Sequence, residues 1–268
     1  MNVLVLSGGG SLGAWQAGAI DSLYRRGHRW DAVVGTSVGA INGAGVSLLG
    51  VQGTLDLWRQ LQGTGDVQRL NWYKLPWATG LYNFGPLKKL LQKYLTYSEP
   101  RGIPAYASYL SLKNGTMQHK SQWDVASSAE YIDAILGSSS LGFVHEPING
   151  DWVDAGHQEQ FPIDWALKRF QACSIDAVGT SPVKKWYDQK PIEWPKFVFA
   201  GIRSVELQSR ETYWNDVRPF LNNTKVKIYA PKSPLPYDSM DYSAENIATM
   251  IKEGRDAADA MDSSLGRR

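Results

Sequence analysis

The sequence predicts an α/β fold with parallel strands, and three observations carry that expectation. Val3–Leu6 and Asp31–Val34 are short apolar runs, as expected of strands buried on both faces. Each leads within a few residues into a segment of helical period. The order strand–helix–strand–helix over residues 3–50 builds a parallel sheet through right-handed crossovers.

The first helix is read from Leu12, Trp15, Ala19 and Leu23, spaced by three and four, and Gly27 closes it as a C-cap. The second spans Val38–Leu49; its Gly39, Ala40, Gly43, Ala44 and Gly45 let it lie close to a sheet. Residues 62–86 interrupt the pattern with Gly63, Gly65, Pro76, Gly80, Gly85 and Pro86. The same stretch carries Trp72, Tyr73, Trp77, Leu81, Tyr82 and Phe84, read either as an acyl-binding wall or interfacial lid or as core. A helix is expected over 86–96. Asn114-Gly115 between two strand-like runs marks a hairpin within 105–122.

Ala129–Leu136 reads as a helix, Trp152–Asp154 as a strand end, and Pro162–Phe170 as a helix with proline at an allowed early position. Ile175–Val178 and Val226–Tyr229 read as strands. Residues 204–221 and Ser243–Ala260 read as helices, the last with Ser243 as N-cap. There is no internal repeat, low-complexity tract or linker, so residues 1–268 are read as one domain.

Composition narrows the function classes. In 268 residues, 43% hydrophobic and 20% charged content is ample for a globular core. A net charge of +2 without a dense basic run (Arg25-Arg26 and Lys184-Lys185 are isolated pairs) does not point to nucleic acid. The single cysteine, Cys173, reads as a buried apolar residue and allows no internal disulfide. Met1–Ser7 lacks the basic and long apolar regions of a signal peptide, and no apolar stretch has transmembrane length. A cytoplasmic chain is expected, peripheral to membranes where it meets them. Eleven Trp, 13 Tyr and 7 Phe are an unusual load, suited to wet–apolar boundaries.

The chemistry concentrates at two strand-to-helix turns. Gly35-Thr36-Ser37-Val38-Gly39 follows the second strand and opens the second helix, the arrangement of a nucleophile elbow. The elbow exposes the serine at the strand's carboxyl end, where the helix N-terminus favours negative charge. Gly35 and Gly39 relieve the crowding. Gly8-Gly9-Gly10, ahead of Ser11, Leu12 and Gly13, offers backbone N–H groups for an oxyanion hole. The same residues satisfy Gly-x-Gly-x-x-Gly of a dinucleotide fold. That reading wants an acidic residue at the end of the second strand, where Thr36 and Ser37 stand; Asp31 is at its start. A serine nucleophile needs a base. The histidines are His28, His119, His145 and His157, and Ser37 falls too early for the serine–acid–histidine order of the α/β-hydrolases. Asp154, at a strand end before Ala155-Gly156, is the candidate base; as alternatives, Asp154 caps a turn and His157 is a surface histidine.

Taken in order, the glycine loop, Gly35–Gly39 and Asp154-Ala155-Gly156 resemble the patatin-like phospholipase family. Val34–Gly43 is similar to its nucleophile segment, and Pro236–Ile247 resembles bacterial members. The resemblance implies a three-layer α/β/α sandwich with a mostly parallel central sheet. It implies a Ser37–Asp154 dyad without a catalytic histidine, an oxyanion hole at Gly8, Gly9 and Gly10, and Gly13, Gly35, Gly39 and Gly156 as motif support. The reaction implied is hydrolysis of a lipid or other acyl ester through an acyl-enzyme, with no metal and no cofactor. Transient contact with a membrane interface fits such a substrate; nothing in the sequence sets the oligomeric state. Two departures stand out. Ser11-Leu12 replace a basic residue of the family's loop. Ala155 replaces a glycine; at a positive φ it would be strained by roughly 1–2 kcal/mol. Those departures also motivate a non-catalytic, lipid-binding reading.

Overall fold

The computed structural model describes residues 1–71, 80–142, 144–172, 174–184 and 196–265. Trp72, Tyr73, Trp77, Cys173 and Lys185 lie outside these. The strands are β1 (Asn2–Leu6), β2 (Ala32–Thr36), β3 (Arg69–Leu70), β4 (Tyr82–Asn83), β5 (Ala105–Ser111), β6 (Met117–Lys120), β7 (Trp152–Asp154), β8 (Ser174–Val178) and β9 (Val226–Tyr229). The helices are α1 (Gly13–Arg25), α2 (Val38–Gln60), α3 (Gly85–Leu95), α4 (Ser128–Ser138), α5 (Ile163–Phe170), α6 (Lys196–Val217) and α7 (Ala244–Leu265).

The main sheet runs β6-β5-β2-β1-β8-β9, with β7 also paired to β5. β5, β2, β1, β8 and β9 are parallel; β6 and β7 run antiparallel to β5. Alternate residues of one strand face opposite layers. Leu4, Leu6 and Val33 pack into the core shared with α1, α2, α3, α4 and α7. Val3, Val5, Ala32 and Val34 pack with Phe161, Ile163, Tyr213 and Val217, from α5, α6 and the segment leading into α5. Apolar cover on both faces makes three layers, and explains why these strands read as unbroken apolar runs. The expected α/β class holds. In the register, Leu6 pairs with Gly35 on one side and Val178 on the other. The carboxyl ends of β1, β2 and β8 therefore form one edge, where open α/β sheets bind ligands.

Local signals explain most boundaries. Gly27, at φ 95°, ends α1: its N–H donates to the Tyr24 carbonyl and that of His28 to Leu23, a Schellman closure. Gly115, at φ 65°, turns the β5–β6 hairpin. α2 outruns the expected Leu49 because Gly50, at φ 74°, kinks the chain and a second helical stretch follows, burying Val51, Leu55 and Trp58. α2 is apolar and long enough to cross a membrane by length and composition, yet 67% of its most apolar window is buried in the protein. α6 starts ahead of the expected residue 204. α7 begins at Ala244, which puts Ser243 at the N-cap position as expected; the Asp241 carboxylate braces it, taking the Ser243 N–H at 2.8 Å and the Asn246 side chain at 2.6 Å.

α7 lies against α1 at backbone distance. A Cβ on Gly18 would stand 2.0 Å from the Ile251 carbonyl oxygen, and one on Gly254 1.9 Å from that of Trp15. Flanking contacts fix the crossing: Ser22 donates to Asp259 at 2.7 Å, and Arg255 reaches the buried Asp21. Gly254→Ala is expected to destabilise the protein by about 1–3 kcal/mol through overpacking. Urea unfolding measures this; an unchanged midpoint and slope would show that the helices separate freely.

Candidate active site

Ser37 stands between β2 and α2 with φ 57° and ψ −127°, a conformation that non-glycine residues rarely adopt. Two backbone contacts enforce it. A Cβ on Gly35 would lie 2.2 Å from the Gly39 carbonyl, and one on Gly39 2.5 Å from the Leu6 carbonyl oxygen. The turn is sharp because the helix start presses on the ends of β1 and β2. Hydrogen bonds hold it there. The Ser37 N–H donates to Ser138 Oγ at 2.8 Å, and that hydroxyl donates to the Ser108 carbonyl on β5. Thr36 Oγ1 donates to the Glu159 carbonyl at 3.0 Å.

The glycine loop leaves β1 beside the elbow. Gly9 (φ 155°) and Gly10 (φ 58°) take conformations open to glycine, and Gly10 has the Ser239 carbonyl where its Cβ would be. The Gly8 N–H donates to the Gln160 carbonyl at 3.1 Å, and that of Ser11 to Ser239 at 2.8 Å. Among the described residues, the Gly9 and Gly10 N–H groups have no acceptor. Of the three glycines expected to offer N–H groups, Gly8 has its own engaged in the framework of the loop. Gly13 lies below the loop, where a Cβ would strike Val38 at 2.2 Å.

A buried polar chain stabilises the loop, and the sequence reading missed it. Trp58 Nε1 donates to Asn42 Oδ1 at 2.7 Å, and Asn42 Nδ2 donates to Gln16 Oε1 and to the Gly13 carbonyl. Gln16 Nε2 donates to the carbonyls of Ser7 and Val178, where β1 and β8 end. The signal was available: Gln16 and Asn42 are polar residues within apolar helices, and both are fully buried.

Asp154 ends β7, which β5 carries to the elbow through the Tyr109–Asp154 pairing. It is 4% exposed, and its Oδ1 accepts the Gly156 N–H at 2.7 Å. Burial raises its pKa to about 6; hydrogen bonding from Gly156 and from the Ser37 hydroxyl opposes the rise. Ser37 and Asp154 line the same cavity, close enough for the Ser37 hydroxyl to favour the Asp154 anion. A Cβ on Gly156 would fall 2.0 Å from Gln160 Oε1, so a side chain there would displace that carboxamide. Ala155 opens a short 3-10 turn and is absent from the positive-φ positions, so the strain expected there does not exist. His157 is half-buried, and its Nδ1 has no hydrogen-bond partner among the described residues. Burial lowers its pKa.

Gly8, Gly9, Gly10, Ser37 and Asp154 all line one cavity of about 1120 Å³. Gly13, Gly35, Gly39 and Gly156 are not part of its lining. Leu57, Trp58, Leu87, Leu91 and Val144 supply apolar wall, together with Tyr82 and Phe84 from the aromatic segment. His145 also lines it, stacked on Phe84 at 4.0 Å and bonded through Nε2 to Gln68. Burial keeps His145 neutral, with a pKa near 3. His119 and His28 stand away from this cavity: His119 bonds Ser108 and stacks on Trp165, while His28 pairs with Asp176. Among the described residues, no cluster of His, Cys, Asp and Glu could hold a metal.

Ala155→Gly tests the relaxed turn. It is expected to lower stability by about 0.5–1 kcal/mol, because it frees the unfolded chain without relieving strain. A rise in melting temperature would mean that Ala155 is strained.

Comparison with known proteins agrees with this architecture. The family description "Patatin-like phospholipase" matches residues 4–167. No curated protein matches. Among solved structures, VipD from Legionella pneumophila is similar, with a TM-score of 0.48 and 12% sequence identity over 98% of this chain. The chain spans 66% of the length of VipD. With the match extending from β1 through the elbow and Asp154 into α5, the chain belongs to the patatin-like phospholipase family.

Proposed function

We propose that this chain is a serine lipid acyl hydrolase of the phospholipase A or esterase type, folded as one domain over residues 1–268. Membership of the family implies lipid acyl hydrolase activity at the coarse level. One observation carries the finer reading: a serine on a strained elbow and a buried aspartate, whose anion the serine hydroxyl favours, line the wall of one large cavity.

The steps follow from that arrangement. The ester enters with its acyl chain along the apolar wall and its carbonyl oxygen toward the Gly9 and Gly10 N–H groups. Asp154 takes the proton of Ser37 as Oγ adds to the carbonyl carbon. The developing oxyanion is stabilised by the glycine N–H groups and by the free N–H groups and dipole at the start of α2. Collapse breaks the ester C–O bond, and the alcohol leaves with the proton held by Asp154. Water then reverses the sequence and frees the acid. Asp154 needs no histidine, because burial alone brings its pKa close to neutrality, where a base is effective. A lipid substrate brings the cavity mouth to a membrane interface.

Three measurements test the reading. Intact mass after incubation with a fluorophosphonate is expected to show one adduct on the wild type and none on Ser37→Ala; labelling of both variants alike would place the reactive group elsewhere. The profile of kcat/KM against pH is expected to fall on the acid side with an apparent pKa near 6, since the base is active only when ionised. A profile flat down to pH 4.5 would exclude Asp154 as the base. Asp154→Asn is expected to lose about 10³-fold or more in turnover yet keep or gain stability at pH 8. The sign follows from linkage. The folded-state pKa lies above the unfolded one, so ionising Asp154 costs stability as pH rises through about 6, and a neutral amide removes that cost. Wild-type turnover in Asp154→Asn would sink the dyad.

A further inference from the structure

Gln160 reaches the site from the segment after Asp154, and its carboxamide lies between Gly156 and Gly8. A Cβ placed on Gly156 would lie 2.0 Å from Gln160 Oε1 and 3.0 Å from Asp154 Oδ1, so the two oxygens stand no farther apart than the sum of those distances. A Cβ on Gly8 would lie 2.6 Å from Gln160 Nε2. The carboxamide therefore spans from the base to the glycine loop, and Gln160 lines the cavity alongside both.

Its backbone is fixed at both polar groups. The Gln160 N–H donates to Asp216 Oδ2 on α6 at 2.8 Å, joined there by the Phe161 N–H at 2.9 Å. The Gln160 carbonyl accepts the Gly8 N–H at 3.1 Å. Such anchoring holds a side chain in place without a partner of its own.

Gln160 Oε1 and the ionised Asp154 carboxylate are both acceptors, so neither can bond the other. A water molecule with two hydrogens satisfies both at once. We propose that Gln160 is a third catalytic side chain, whose carboxamide holds and aims the water that hydrolyses the acyl-enzyme. The proposal rests on the Ser37–Asp154 reading.

The step balances. Once the alcohol has left, the water donates one hydrogen to Gln160 Oε1 and the other to Asp154. Asp154 takes its proton as the water oxygen adds to the acyl carbon. The tetrahedral intermediate collapses, the carbon–Oγ bond breaks, and the proton passes from Asp154 to Ser37 Oγ. The acyl group leaves as the carboxylic acid. Gln160 is neutral throughout and orients the nucleophile, while its Nε2 end lies beside the loop that carries the oxyanion donors. A side chain at position 156 or position 8 would displace the carboxamide from this place.

The test separates formation of the acyl-enzyme from its hydrolysis. Wild type, Gln160→Ala and Gln160→Asn are compared for fluorophosphonate labelling rate, for steady-state turnover of a p-nitrophenyl ester of a medium-chain acid, and for acyl adduct by intact mass. Both variants are expected to label near the wild-type rate, to turn over about 10- to 100-fold more slowly, and to accumulate an acyl adduct at Ser37. Gln160→Asn retains an amide and the same backbone bonds, so it carries the test if Gln160→Ala fails to fold. Unchanged turnover, or labelling and turnover falling together, would overturn the role of Gln160 while leaving the dyad intact. A wild type that takes no adduct at Ser37 would overturn the dyad reading itself.

Discussion

The site depends on one close backbone contact, that of Gly39 at the start of α2 with the Leu6 carbonyl at the end of β1. Bringing a helix N-terminus that near a neighbouring strand end leaves no room for a gradual turn. Ser37 takes the strain, at φ 57°, and its side chain is presented at the sheet edge. A non-glycine residue in such a region costs of order 1–3 kcal/mol. The surrounding bonds offset it: Ser138 and Thr36 tie the elbow to β5 and to the segment after Asp154. The same contact sets the first turn of α2 beside the glycine loop, so the dipole and the Gly9 and Gly10 N–H groups converge on one region of the cavity.

Convergence of the other parts follows from the strand register. β1, β2 and β8 end level, and β7 pairs with the far half of β5, which brings Asp154 back to that edge. The segment 155–161 then acts as a strap. It accepts from Thr36 through Glu159, accepts from Gly8 through Gln160, and is anchored to α6 by Asp216. Elbow, glycine loop and the segment after Asp154 are thereby joined by short bonds to main-chain groups.

What the sequence made legible was local. Ser37, the glycine loop and Asp154 stand in short turns whose residue types announce their geometry, and the apolar strand runs announce burial on both faces. What it hid was long-range. No pattern in Gly8-Gly9-Gly10 tells that the first N–H is spent on the carbonyl of Gln160. The Trp58–Asn42–Gln16 chain joins two helices and two strand ends, and its members are recognisable only as polar residues within apolar helices. Ala155 misled for a related reason: whether a position needs positive φ depends on the turn that follows, and here a 3-10 turn does without it. Of the aromatic segment, Tyr82 and Phe84 stand on the cavity wall.

Three carboxyl groups stand on or beside that strap, Asp154 buried and Glu159 and Asp216 partly so, and their surroundings assign them different states. Glu159 has its pKa raised to about 8 by burial and by Asp216 and Asp164; its nearest ring nitrogen is His119 Nε2 at 3.3 Å. Burial lowers His119 to about 4, so at neutral pH that contact joins two neutral groups and is no salt bridge. Asp216 is raised to about 7 by burial against two N–H donors that favour its anion. Asp154 is raised least, to about 6, because Gly156 and Ser37 both donate to it. At neutral pH the negative charge of the three therefore falls first on Asp154, which lines the cavity with Ser37. Protonated Glu159 keeps a second negative charge away from the elbow. The desolvation that would make a lone buried aspartate inert is held by these donors to the range in which it can act as a base.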